Sequence, residues 1–215
     1  FAANQYDCLG EGGANKTIGS ASGDIDFFGW SGDTAIAKWG ISTSENYTDY
    51  SGDFKDWGTA YCDSKNILPS STWRTLTKDE WDYLLNATNR FAKAKVNEIN
   101  GLLIFPDVFS WTSEMGIAPS NYNTVDTAWE NVSNYSTAEF EAMEAAGCVF
   151  LPAAGYRSGS SSSIIDVNKF GQYWSSSLKN DVSAYAALFT NETFNSVNYP
   201  RRDLGCSVRL VTEKN

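Results

Sequence analysis

Two capping boxes, followed by a run of short apolar segments, constrain the fold of this chain more than any other feature. Thr77 and Glu80 form the first box, and Ser136 and Glu139 form the second. In each box a hydroxyl and a carboxylate satisfy backbone N–H groups that lack partners at the start of a helix. Apolar side chains follow each box at helical spacing, so the sequence predicts two helices.

The two predicted helices have recognisable ends. The first follows Thr77 and reaches about Thr88, with Trp81 on its apolar face, and the second spans about residues 137–146. Gly147 stands directly after the second helix, where glycine readily adopts the left-handed conformation that ends a helix. Both helices are therefore predicted to be short.

Apolar segments outside the helices predict antiparallel strands. Residues 91–96 and 102–105 flank Asn100-Gly101, a dipeptide typical of tight hairpin turns. From residue 148 onward the apolar segments are short and separated by polar turns. The strands predicted there cover residues 148–151, 173–177, 184–189, 194–199 and 206–211. Two helices with mostly antiparallel strands are typical of an α+β fold.

We interpret residues 1–215 as one domain, a size at which about 70% of the unfolded surface is buried. Residues 1–72 are rich in Gly, Ser, Asp and aromatic side chains, and predict an irregular, loop-rich region held by buried aromatics. Residues 73–147 contain the two helices and the hairpin, and residues 148–215 form the β-rich part. No apolar run is long enough to cross a membrane. The start at Phe1 rather than Met predicts a processed or trimmed N-terminus.

The complete absence of histidine limits the chemistry open to this chain. It excludes Ser-His-Asp and Cys-His nucleophile pairs, His-ligated zinc and imidazole proton transfer. An enzyme would therefore depend on carboxylate, lysine, tyrosine or metal–oxygen chemistry. The 16 basic and 26 acidic residues give a net charge of −10, which argues against a nucleic-acid partner and against an anionic membrane surface.

Motifs for phosphate and calcium binding are incomplete. The Gly-rich run before Lys16 resembles a phosphate-binding loop, but Asn15 stands where that loop needs glycine. Neither Asp24 with Asp26 nor residues 49–56 match a calcium-binding loop. We therefore expect no cofactor, with a structural calcium ion as the less favoured alternative.

The four cysteines leave two interpretations open. Cys8, Cys62, Cys148 and Cys206 contain no Cys-x-x-Cys pair, so neither a zinc knuckle nor a thioredoxin-type motif is predicted. Buried thiols and two disulfides are both compatible with the sequence. If the strands that carry Cys148 and Cys206 are neighbours, a disulfide between them is geometrically feasible.

Four motifs in a fixed order resemble a family of bacterial surface proteins. They are WRTLTKDEW at 73–81, VFLPAAGYR at 149–157, YWSSS at 173–177 and GCSVRLV at 205–211. The chain resembles the Fibrobacter succinogenes major paralogous domain and, equally, the variable proteins of diversity-generating retroelements in Bacteroides-type gut bacteria and their phages. The resemblance covers nearly the whole chain. It implies a C-type lectin-like fold, with two helices packed on small twisted antiparallel sheets and long irregular loops.

The resemblance also implies a ligand-binding segment. In the retroelement proteins, ligand contacts lie between the Trp-Ser-Ser-Ser and Ser-Val-Arg motifs, which here enclose residues 178–204. Tyr199 and Arg201 are the expected anchors, because aromatic and arginine side chains dominate binding at shallow surfaces. The ligand-binding residues implied are Leu178, Asn180, Asp181, Ser183, Ala186, Leu188, Asn198, Tyr199, Arg201, Asp203 and Leu204, and Lys179 is expected to complete the same surface. The motif residues expected to be structural are Arg157, Trp174, Arg202 and Arg209.

Strand alternation sorts the centre of this segment into two faces. Tyr185, Ala187 and Phe189 share one face of the predicted strand, and two of them are large aromatics. We therefore expect that face to be buried. Ala186 and Leu188 would then face outward, toward the ligand.

The function implied by the resemblance is that of a non-enzymatic receptor or adhesin domain. Its ligand would be a macromolecule or a glycan on a cell surface, with no nucleic-acid partner and no membrane insertion by this chain. Its location would be extracellular, on the bacterial surface or on a phage virion. Two alternatives stay open: an enzyme, either a carboxylate-based glycan hydrolase or a relative of the formylglycine-generating enzymes, and a structural module of a surface adhesin.

Overall fold

In the residues that it describes, the computed structural model shows an α+β arrangement with two α-helices and several small sheets. It describes residues 4–7, 27–30, 42, 44–58, 73–86, 90–122, 127–158 and 164–212. The Gly-rich run before Lys16, the acidic pair Asp24 and Asp26, and the cysteines Cys8 and Cys62 lie outside these ranges. Within the described ranges, no helix has the length and apolar character needed to span a membrane.

The helices and strands follow one another in short segments. The helices are α1 (Lys78–Asn86) and α2 (Thr137–Ala145). The strands are β1 (Trp73–Thr75), β2 (Phe91–Val96), β3 (Ile99–Ile104), β4 (Asn134–Tyr135), β5 (Val149–Pro152), β6 (Tyr156–Arg157), β7 (Ile164–Ile165), β8 (Gly171–Leu178), β9 (Ala184–Phe189), β10 (Phe194–Asn198) and β11 (Leu210–Thr212).

Both capping boxes are formed, as predicted. At α1 the Thr77 hydroxyl accepts from the Glu80 N–H at 3.2 Å, and the Glu80 carboxylate accepts from the Thr77 N–H at 2.8 Å. Ser136 and Glu139 repeat this exchange at α2. Gly147 follows α2 with a φ of 92°, so the left-handed stop is confirmed. Each helix therefore begins where local hydrogen bonding dictates.

The hairpin of β2 and β3 is confirmed, but its turn lies elsewhere than predicted. The turn consists of Asn97 and Glu98, whose φ values of 49° and 67° are left-handed. Asn100 and Gly101 instead lie within β3. A Cβ on Gly101 would lie 2.4 Å from the carbonyl oxygen of Leu151 on β5. Gly101 is therefore required for close packing of neighbouring strands, not for the turn.

Two sheets organise the core. One has four strands in the order β4-β2-β3-β5, in which β4 runs parallel to β2 and the other pairs are antiparallel. The other is an antiparallel sheet in the order β10-β9-β8. Two-stranded pairs β1-β11 and β6-β7 complete the arrangement. The C-terminal strand β11 is shorter than predicted, since Cys206 and Ser207 form isolated bridges to other segments.

The sheet of β8, β9 and β10 is covered on both faces. Ala184 and Ala186 pack in a cluster around Trp174, whereas Ala187 and Phe189 pack in another that includes residues of α1. The predicted burial of Ala187 and Phe189 is confirmed. The predicted outward orientation of Ala186 is wrong, because only 1% of it is exposed. Alternation fails at Ala186 because both faces of the sheet are covered there.

Buried aromatics pin the described parts of the N-terminal region, as predicted. Trp30 is buried and stacks on Phe54, with ring centroids 4.8 Å apart. Arg202 lies over the Trp30 ring and donates to the carbonyls of Trp30 and Gly52. The Trp174 indole donates to the Phe28 carbonyl at 2.5 Å. Arg202 and Trp174 are therefore structural residues, as expected for these motifs.

The disulfide between Cys148 and Cys206, which the sequence left open, is not formed. The two residues are buried in different core clusters. The Cys206 thiol donates to the side-chain oxygen of Gln172 at 3.4 Å. Burial raises the pKa of the Cys148 thiol to about 12. A thiol with so high a pKa is almost entirely uncharged at neutral pH and therefore unreactive.

Candidate ligand-binding surface

Two tyrosines form the centre of the surface at one end of the three-stranded sheet. Tyr185 lies on β9 and is half-buried, and Tyr199 directly follows β10 with 57% of its surface exposed. Their ring centroids are 6.4 Å apart and their planes are almost perpendicular, at 83°. Tyr185 lies opposite an irregularity in β8, between Trp174 and Leu178. Such bulges redirect side chains out of the regular alternation.

Two lysines flank these rings. The Lys179 ammonium lies 5.1 Å from the Tyr199 centroid and 5.4 Å from the Tyr185 centroid. Lys78, the first residue of α1, places its ammonium 5.6 Å from the Tyr185 centroid. We call Lys78, Lys179, Tyr185 and Tyr199 the tyrosine–lysine cluster. Its ring-to-cation distances lie within the range of favourable cation–π contacts.

Hydrogen bonds fix the turn that carries Lys179. The side-chain oxygen of Asn180 accepts from the N–H groups of Val182 and Ser183, at 3.0 and 2.9 Å. The backbone N–H of Lys179 donates to the Ser183 carbonyl. Ser183 in turn forms an antiparallel bridge with Arg201. The turn after β8 is thus held to the segment that carries Tyr199, which makes the cluster a fixed arrangement.

Arg201 connects this surface to the N-terminal region. Its guanidinium forms an ion pair with Asp203, with Nε 2.9 Å from the carboxylate, and donates to the Glu45 carbonyl at 2.5 Å. It also lies 5.9 Å from the ring of Tyr47. Asp203 is only 5% exposed. Arg201 therefore has a structural role, because it neutralises a buried carboxylate, although its own side chain is exposed.

The predicted ligand-binding residues divide by accessibility. The exposed ones are Leu178, Asn180, Asp181, Tyr199 and Arg201. The half-buried ones are Ser183, Leu188, Asn198 and Leu204. Leu204 packs against the cluster around Trp174. The buried ones are Ala186 and Asp203, and neither offers its side chain to a ligand.

Three residues of the surface were not predicted: Tyr47, Lys78 and Tyr185. Tyr185 was assigned to the core because alternation assumes a regular strand with one buried face and one solvent-exposed face. Lys78 and Tyr47 come from helix α1 and from the turn Tyr47–Tyr50, both distant in sequence. The contact of Lys78 depends on tertiary packing, because its N–H donates to the Ser177 hydroxyl at the end of β8. No local signal identifies such contacts.

Asp56 and Glu80, two carboxylates outside this surface, have structural partners. Asp56 accepts from the N–H groups of Gly58 and Thr75. Glu80 accepts two hydrogen bonds from Arg74, at 2.8 and 2.6 Å, and these lower the Glu80 pKa to about 2. Among the described residues, no group of three or more His, Cys, Asp or Glu side chains is placed to hold a metal ion.

The fold and the surface together define an α+β protein with an exposed aromatic and cationic cluster at one end of a doubly covered sheet. Comparisons with family models, with curated proteins and with solved structures found no match to this chain. Its function therefore has to be inferred from the geometry of this surface.

Proposed function

We propose that this chain is a non-enzymatic receptor or adhesin domain that binds a macromolecular or glycan ligand through the 178–204 surface. The observation that carries this proposal is the exposed Tyr199, held at a right angle to Tyr185 by a hydrogen-bonded turn. Tyrosines combine a large contact area with little conformational freedom to lose, so they are effective anchors of binding surfaces.

The position of the four family-like motifs supports a division into frame and binding surface. The Ser176 N–H donates to the Leu76 carbonyl, and the Arg157 N–H donates to the Gly205 carbonyl, so each bond joins two motifs. Strand β1, from the first motif, pairs with β11, from the last. The motifs thus meet in space, whereas residues 178–204 extend between the third and fourth motifs.

This division is what a C-type lectin-like variable protein requires. A constant frame can hold its shape while an exposed segment changes to suit different ligands. We therefore extend the proposal to the C-type lectin-like fold, to a bacterial surface, extracellular or virion location, and to diversification of the segment by a retroelement. A neighbouring reverse transcriptase gene, with a template repeat that matches residues 174–211, would support the last point independently.

The proposal is tested with a surface variant that spares the core. The variant combines Leu178→Ser, Lys179→Gln and Tyr199→Ala, since all three residues are exposed. It and the parent chain are screened on a glycan array and against purified bacterial surface proteins. We expect at least one ligand of the parent, with an affinity about tenfold or more lower for the variant.

The matched control is Tyr83→Ala. Tyr83 is an exposed tyrosine on α1 with one cation, Arg90, over its ring, and no second ring lies beside it among the described residues. Binding should be unaffected by this change. If every ligand binds parent and surface variant equally, the proposed surface is wrong. Turnover of a glycan would instead favour the enzyme alternative.

A further inference from the structure

The tyrosine–lysine cluster brings two ammonium groups to one aromatic ring. Lys78 and Lys179 both lie within 5.6 Å of the Tyr185 centroid, so their ammonium groups are at most about 11 Å apart. Tyr199, 57% of whose surface is exposed, has the Lys179 ammonium 5.1 Å from its ring centroid. Cations and rings are therefore presented together within one small area.

The charge of Lys179 is not neutralised by an ion pair in the described part of the chain. Lys78 forms an ion pair with its exposed neighbour Asp79 at 2.5 Å, and this contact raises the Lys78 pKa. An ion pair at an exposed site holds its two partners together only weakly. Asp203, the nearby buried carboxylate, is already paired with Arg201. Asp181 is the exposed acid of the turn. Lys179 is thus available to an anionic ligand.

We infer that this cluster binds an acidic saccharide, with a pyranose ring on the face of Tyr199 and its carboxylate at Lys179. The inference rests on the proposed function and names the class of ligand. The apolar face of a sugar ring is about as large as a phenol ring, and two perpendicular rings contact both its face and its edge. Lys179 then supplies charge-assisted hydrogen bonds to the carboxylate, and the ammonium of Lys78 over the Tyr185 ring adds positive charge to the site.

A saccharide fits this site better than a protein does. Protein interfaces are centred on anchors buried in well-packed pockets, whereas the large exposed apolar groups at this site are Leu178 and Tyr199 alone among the described residues of the segment. The net charge of −10 repels extended polyanions at long range. A short saccharide with one or a few carboxylates is favoured for that reason.

The test compares acidic saccharides with their neutral counterparts by NMR titration of the isotope-labelled chain. The pairs are 3′-sialyllactose with lactose, and trigalacturonate with galactotriose. We expect at least one acidic probe to bind about fivefold or more tightly than its neutral counterpart. Added salt should lower the affinity of the acidic probe and leave the affinity of the neutral probe unchanged, because only the acidic probe binds through charge.

Three variants assign the roles of the residues. Lys179→Gln should lower the affinity of the acidic probe to that of the neutral one, while Lys179→Arg should retain the preference. Tyr199→Ala should lower the affinity of both probes about tenfold, and Tyr83→Ala should change neither affinity. The melting temperature of each variant is measured first, so that a loss of binding is not confused with a loss of folding.

Three results would overturn the inference: no acidic probe binds, acidic and neutral probes bind equally, or Lys179→Gln leaves the preference intact. These results are distinguishable from a failure of the proposed function. If a protein ligand depends on Tyr199 while all four saccharides fail to bind, the surface is a binding site but its ligand is not an acidic saccharide.

Discussion

Lys93 and Arg202 are buried cations that bind backbone carbonyls of distant segments, and this separates them from the exposed cations of the surface. Lys93, on β2, is fully buried, and its ammonium donates to the carbonyls of Asn191 and Thr127 at 2.9 and 3.3 Å. Arg202 makes the same kind of contact with Trp30 and Gly52. Because burial of a charge is costly unless its donors are satisfied, these residues are structural. Lys179, in contrast, is solvent-exposed.

The Arg74–Glu80 pair gives a prediction about pH at the same scale. Hydrogen bonds from Arg74 lower the Glu80 pKa to about 2, from an ordinary value near 4.5. A group whose pKa is lowered by folding stabilises the native state above its unfolded pKa, and this contribution is lost as the pH falls from about 4.5 toward 2. The side chains are 41% and 36% exposed, so solvent screening reduces the contribution to about 1 kcal/mol.

Glu80→Gln should therefore lower the free energy of unfolding by about 1 kcal/mol at pH 7 and by much less at pH 2.5. Urea denaturation at both pH values measures this difference. Glu139→Gln is the control, because Glu139 occupies the same capping-box position at α2, where Ser136 lowers its pKa and no arginine of the described residues forms an ion pair with it. If Glu80→Gln lowered the free energy of unfolding equally at pH 7 and at pH 2.5, the charge of Glu80 would not be the cause of the loss.

At the scale of elements, the sequence predicted which helices and strands form, but it did not predict that both faces of β9 are covered. The range of β9 was predicted correctly, because its apolar run is bounded by polar turns. Its orientation was predicted only in part: Ala187 and Phe189 are buried as expected, but Ala186 is buried too, because the opposite face is also covered. Both capping boxes were predicted because their hydrogen bonds are local. The contact of Tyr47 with Arg201 joins segments that only tertiary packing brings together.

Gly101 gives the prediction that belongs to this scale. It was taken for a turn residue, but it lies in β3, where an added Cβ would come within 2.4 Å of the Leu151 backbone oxygen and 2.5 Å of the Phe150 ring. A backbone atom cannot move aside without moving β5. Gly101→Ala should therefore destabilise the protein by about 2 kcal/mol, as overpacking of a core does. Urea denaturation measures this cost, and a change below about 0.5 kcal/mol would contradict the assigned role.

At the scale of the whole molecule, the four motifs form a hydrogen-bonded frame, and the 178–204 segment carries Lys179, Tyr185 and Tyr199 of the tyrosine–lysine cluster. This predicts that stability and surface chemistry are separable. The combined variant Leu178→Ser, Lys179→Gln and Tyr199→Ala should change the free energy of unfolding by less than about 1 kcal/mol, because its residues are exposed. Trp174→Ala, within the frame, should cost about 3–5 kcal/mol, because the ring is fully buried and donates to the Phe28 carbonyl.

Arg201 is an exposed residue for which stability and surface chemistry are not separable, so its variant is a control for the triple surface variant. It is exposed like Tyr199, yet it neutralises Asp203, which is buried. Arg201→Ala should therefore lower the free energy of unfolding by more than the triple surface variant does, since a buried carboxylate then lacks its partner. Chemical denaturation of the three variants ranks them directly. If the triple variant proves as destabilising as Trp174→Ala, the segment is part of the core, and a surface free to vary in sequence is excluded.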